Sequence, residues 1–166
     1  MMKKHLIVAA LGFCFSGCLS SNPSCDDKNV LSLVEQIIRE EPKILLGAGL
    51  LLSQDSKINL FGMAMGGGLL FNSDLQEYVQ KNTKLSFNSF MTLDNDNEKQ
   101  TLCRATLKAT FPKMSDDFKK KFEEIGGFLD ETLIYGGGAF EKQIRYTAQY
   151  TDDGKQIYVQ AAFEQE

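Results

Sequence analysis

The stretch EKQIRYTAQYTDDGKQIYVQAAF, residues 141–163, decides the fold. Ile144, Tyr146, Ala148 and Tyr150 recur at every second position, as do Ile157, Val159, Ala161 and Phe163. Thr151, Asp152, Asp153 and Gly154 stand between the two runs. An Asp-Gly pair between alternating segments predicts a β-hairpin, because glycine supplies the positive φ that such a turn needs. Each strand has one apolar and one polar face, so the sheet should be covered on one side and wet on the other.

The same period appears upstream. Cys103, Ala105, Leu107, Ala109 and Phe111 share one face of a strand, with Arg104, Thr106, Lys108 and Thr110 on the other. From Lys84, a further strand is predicted to place Leu85, Phe87, Met91 and Leu93 together across Ser89, with Phe90 on the opposite side. Val30, Leu33, Val34, Ile37 and Ile38 instead follow the helical period, with Asp26, Asp27 or Asn29 available as a cap. Pro42 ends this helix or opens a second one, and Ser73 with Gln76 forms a capping box for a short helix. Ser115, Asp116 and Asp117 start another helix, with Phe118, Phe122 and Ile125 inward. The predicted fold is therefore α+β: an N-terminal helix packed on an antiparallel sheet of about four strands, with helical insertions.

The N-terminus carries a different message. Lys3, Lys4 and His5 precede an apolar run over residues 6–15, and Phe15-Ser16-Gly17-Cys18 follows. The apolar run is shorter than the ~20 residues a transmembrane helix needs. The pattern resembles a bacterial lipoprotein signal peptide and its lipobox, with Phe15 in place of the usual leucine or small aliphatic residue. That resemblance implies cleavage before Cys18 and acylation of its thiol and new amine. It divides the chain into a signal peptide (1–17), a lipidated tether (18–24) and a single domain (25–166). Leu19 stands where an inner-membrane retention aspartate would be, and the resemblance then implies the outer membrane, with the domain facing the periplasm.

Once Cys14 has left with the signal peptide and Cys18 carries lipid, only Cys25 and Cys103 remain. In an oxidising envelope compartment these two thiols are expected to pair, pinning the first helix to the sheet. The only histidine, His5, lies in the segment expected to be removed. Without it the mature chain has no imidazole for a triad, a zinc site or proton exchange near neutral pH. Losing Lys3 and Lys4 reduces eighteen basic residues to sixteen, against twenty-two acidic ones. Lys119, Lys120 and Lys121 form the only basic run and have acidic neighbours, so no nucleic-acid partner is expected. The Asp94-Asn95-Asp96-Asn97 turn has Lys99 and Ala105 where a calcium loop needs glycine and glutamate. Neither a metal nor a cofactor is called for. Adjacent carboxylates, Asp116 with Asp117 and Glu123 with Glu124, point in different directions around a helix rather than across a substrate.

Residues 44–52 and 60–71 are apolar, and the second run gathers Met63 and Met65 among four glycines. Leu60, Met63, Met65, Leu69, Leu70 and Phe71 are the candidate partner or ligand surface, because methionine adapts to irregular contacts and glycine permits close approach. Their structural alternative is packing against the sheet, with the glycines at turns and close contacts. The cysteine-opened helix, the Leu102-Cys103-Arg104-Ala105-Thr106-Leu107 strand and the terminal hairpin together resemble small envelope lipoproteins of Gram-negative bacteria. The lipobox, the lack of a mature histidine and the absence of a convergent polar constellation point to a non-enzymatic role, binding or scaffolding an envelope protein or lipid, with membrane attachment through the N-terminal lipid. Two further functions remain open at this level: carriage of a lipid or other apolar ligand, and inhibition of an envelope enzyme or a defence role through the corner at residues 135–138.

Overall fold

A computed structural model describes residues 10–13, 22–51, 73–94, 100–120 and 136–164. Among the described residues there are five strands: β1 (Ala10–Phe13), β2 (Lys84–Asp94), β3 (Thr101–Thr110), β4 (Ala139–Tyr150) and β5 (Gln156–Phe163). Their order is β1-β5-β4-β3-β2, and β2 to β5 form the expected open antiparallel sheet. Among the described residues it is accompanied by the helices α1 (Lys28–Glu40), α2 (Pro42–Leu51) and α3 (Ser73–Asn82), with a shorter one further along. The fold is α+β. β1 is additional: it lies in the predicted signal segment and pairs antiparallel with β5, Ala10 opposite Val159 and Phe13 opposite Gln156. Short apolar runs suit strand or helix equally well, and here a free sheet edge decides the matter.

The chain forms two compact units. The first comprises Met1–Ile38, Phe87–Leu107 and Lys142–Glu166. In it, Asp27 caps α1: its Oδ1 accepts from the amides of Asn29 (2.7 Å) and Val30 (3.3 Å). The five apolar residues predicted to line α1 are all buried. They share the core with Cys103, Ala105, Leu107, Ile144, Tyr146, Ala148, Ile157 and Val159. Each large aliphatic residue buried in this way contributes roughly 1.5–3 kcal/mol relative to exposure. Pro23 is buried as well, so ordered packing begins within the predicted tether.

The hairpin has the predicted turn. The Thr151 amide donates to the Gln156 carbonyl (2.9 Å), and the Gly154 amide to the Thr151 carbonyl (2.7 Å), with Gly154 at φ +68. Asp153 accepts from the Thr151 hydroxyl (2.6 Å) and the Lys155 amide (3.1 Å), which holds its carboxyl below the usual value. In the register, Tyr146 stands opposite Ala161 and Ala148 opposite Val159.

β2 departs from prediction after its midpoint. Ser89 adopts φ +54, a left-handed conformation that interrupts the regular alternation of a strand. Met91, expected beside Leu85 and Phe87, is 52% exposed, and Phe90 is 37% exposed. Thr92 Oγ1 lies 3.5 Å from Cys25 Sγ, on the side of the disulfide. Beyond Ser89, Met91 is therefore not on the covered face as predicted, whereas Leu93 keeps the partial burial of Leu85 and Phe87.

The second unit comprises Arg39–Ser86 and Lys108–Glu141. Pro42 opens α2, at the first-turn position where its missing amide costs nothing. Two glycines did not prevent this ten-residue helix, because Leu45 and Leu46 are fully buried. α2 packs on α3, whose Leu75 and Val79 are also buried. Arg39 Nη1 donates to the carbonyls of Gln80 (2.9 Å) and Thr83 (3.0 Å), placing a cation at the negative end of α3. Tyr78 stacks on Phe118 with ring centroids 4.5 Å apart. Ser115 Oγ accepts from the Phe118 amide (3.3 Å), as expected for a cap of the short helix over residues 116–120.

Candidate functional site

Two parts of the first unit carry its chemistry. The first is the covalent base of the domain. Cys25 and Cys103 form a disulfide, S–S 2.04 Å with Cα atoms 5.6 Å apart. Alternation along β3 puts Cys103 on the covered face, and the turn before α1 brings Cys25 to it. Beside the bond, the Tyr146 hydroxyl donates to the Cys25 carbonyl. Burial, followed by the nearby charge of Asp26, pushes the Tyr146 hydroxyl up to about 12. The phenol therefore remains a neutral donor at physiological pH and fixes the backbone at Cys25.

The second part is the opposite, polar face of β3, β4 and β5. Glu164, just beyond β5, accepts from Arg104 Nη2 of β3 (2.7 Å) and from Arg145 Nη2 of β4. Desolvation would raise the Glu164 carboxyl, but hydrogen bonds and charge from the two guanidinium groups hold it below its ordinary value. The Glu164 amide also donates to the Gln143 carbonyl (3.0 Å), so this residue ties the chain end across three strands. Arg104 Nε and Glu164 Oε2 are buried with no hydrogen-bond partner among the described residues. On the same face Gln160 Nε2 donates to the Tyr158 hydroxyl (2.9 Å). The alternation in β3, β4 and β5 made the face legible in the sequence. The Arg104–Glu164–Arg145 bridge was not, because charge positions alone do not show which strands are neighbours.

Of the predicted sites, Cys25 and Cys103 come together. Cys18 and the proposed surface of Leu60, Met63, Met65, Leu69, Leu70 and Phe71 lie outside the described residues, as do Asn95, Asp96, Asn97 and Tyr135. The described part of the glycine corner is residues 136–138. Gly137 has φ +76, and a Cβ there would come within 2.8 Å of the Lys113 nitrogen, while the Gly138 carbonyl accepts from the Phe111 amide (2.9 Å). Among the described residues no helix is long and apolar enough to cross a membrane, and no group of three or more His, Cys, Asp or Glu side chains could hold a metal ion. No protein family, curated protein or solved structure matches the chain.

Proposed function

We propose that this chain is an outer-membrane lipoprotein, anchored through acylated Cys18, whose periplasm-facing domain binds or scaffolds another envelope component without enzymatic chemistry. The observation that carries the reading is the Cys25–Cys103 disulfide, seven residues beyond the lipobox cysteine. A structural disulfide suits an exported protein, because cytosolic reductants keep such pairs open. Its position suits an anchored one: pull or tilt arriving along the tether meets a covalent link into the middle of the sheet. The Tyr146 hydrogen bond reinforces that link. The lipobox supplies the anchor, and the sheet supplies a rigid platform. Mass spectrometry of the protein purified from its native envelope tests the proposal. The expected form begins at acylated Cys18, whereas an intact Met1 or an unmodified Cys18 would overturn the anchoring.

A further inference from the structure

The sheet has two edges of different character. β2 carries Lys84 and Asp94 at its ends and the left-handed Ser89 at its centre, features that discourage another strand from pairing. β5 has no proline, glycine or charged residue between Gln156 and Phe163. Its even-numbered residues spend their backbone groups on β4, as the Thr151–Gln156 and Glu164–Gln143 hydrogen bonds show. By the alternation of an antiparallel ladder, Ile157, Val159, Ala161 and Phe163 present amide and carbonyl groups to the other edge. β1 occupies only the first half of that edge, with Gly12 opposite Ile157 and Ala10 opposite Val159. Leu11 stands opposite Tyr158 and Phe13 opposite Gln156. Cleavage before Cys18 would remove this strand and bare the edge.

We infer that the β5 edge is a strand-acceptor site. After loss of residues 1–17 it pairs antiparallel with an extended, uncharged segment of another polypeptide, in which small residues alternate with large apolar ones. The inference deepens the lipoprotein proposal and rests on it for the removal of β1. Strand addition draws its affinity from main-chain hydrogen bonds and its selectivity from alternate side chains. The seated segment supplies that selectivity pattern: small residues opposite Ile157 and Val159, large ones opposite Gln156 and Tyr158. A second copy of β5 does not reproduce it. Among its own edge-facing residues, Ile157, Val159, Ala161 and Phe163, only Ala161 is small, so no antiparallel self-register opposes small residues to both Ile157 and Val159.

The test uses a fluorescent synthetic peptide with the sequence of residues 8–15, Cys14 replaced by serine and lysines at both ends. It is titrated into the envelope-purified protein, whose N-terminus is first read by mass. If residues 1–17 persist, the anchoring reading fails, and the acceptor is then tested on the full chain carrying Gly12→Pro, which unseats β1. In either protein the peptide is expected to bind saturably and slow hydrogen exchange at the Ile157 and Val159 amides. Tyr158→Lys, which keeps every amide but places a charge beside the seat, should weaken binding by about tenfold or more. Val159→Pro, which deletes one edge-facing donor, should do the same. Absence of saturable binding, or binding that leaves those two amides unprotected, overturns the inference. So does a dimer of the chain that already protects them and that the peptide disperses, because the occupant would then be a second copy.

Discussion

Replacing both Cys25 and Cys103 by alanine should remove much of the stability of this domain. The bond spans 78 positions, and in the chain-entropy description such a link disfavours the unfolded ensemble by about 4.5 kcal/mol. Both side chains are buried, so the two lost sulfur atoms add a small packing cost of order 1 kcal/mol. A domain of this size has only about 5–15 kcal/mol of total stability, so the variant should be marginal. With a urea slope of about 2 kcal/mol per molar, the unfolding midpoint should fall by ~2.7 M without a fall in the cooperativity of the transition. The assay is urea unfolding at pH 7 followed by far-ultraviolet circular dichroism, on oxidised protein, reduced protein and the double variant. The reduced protein should track the variant, because both have lost the cross-link while the reduced form keeps its sulfur atoms. A midpoint difference below ~0.5 M would refute the reasoning, since it would mean that the unfolded chain is already confined near this pairing. A large loss in the variant but not in the reduced protein would refute it differently, by assigning the effect to packing.

Gly137→Ala should cost about 1–3 kcal/mol, because it forces a Cβ against the Lys113 backbone at a positive φ; a melt within one degree of the parent would reject that account. Tyr146→Phe should cost about 1 kcal/mol through the Cys25 carbonyl it leaves unpaired, measurable as a shift in the urea midpoint. The Tyr146 hydroxyl is raised in the folded state, so its contribution is complete below pH 10 and lost as pH rises towards about 12. The Phe variant should lack that part of the alkaline loss, a difference readable from urea midpoints between pH 9 and 12. Glu164 is lowered, so its contribution is present above its ordinary value of 4.5 and lost as pH falls below it. Glu164→Gln should therefore be less stable than the parent at pH 7 and approach it at pH 3; an equal deficit at both values would show that the two arginines are not the cause.

How far the sequence disclosed this molecule depended on whether the deciding interaction was local. Residues 151–154 contain their own turn chemistry, and the flanking alternation fixes which side is covered, so the hairpin could be read directly. The helical spacing of Val30, Leu33, Val34, Ile37 and Ile38 was equally self-contained. The pairing of Cys25 with Cys103 followed from counting thiols after the lipobox had been taken into account. Ser89 was a different matter, since serine has no marked preference for a left-handed φ and the constraint comes from neighbouring structure. A trace did exist: strict alternation fails where Phe90 and Met91 adjoin. For β1 the sequence carried two instructions at once. An apolar run after a basic head resembles an export signal, yet Ala10-Leu11-Gly12-Phe13 also alternates small with large, and that suits a place beside Ile157 and Val159. Under the lipoprotein proposal the two instructions apply at different times in the life of the chain. Under the proposal, the precursor covers its own β5 edge, and the processing step that fixes the protein to the membrane also uncovers that edge. Removal of the signal segment would then confer both location and binding competence, with no conformational change required of the disulfide-pinned core.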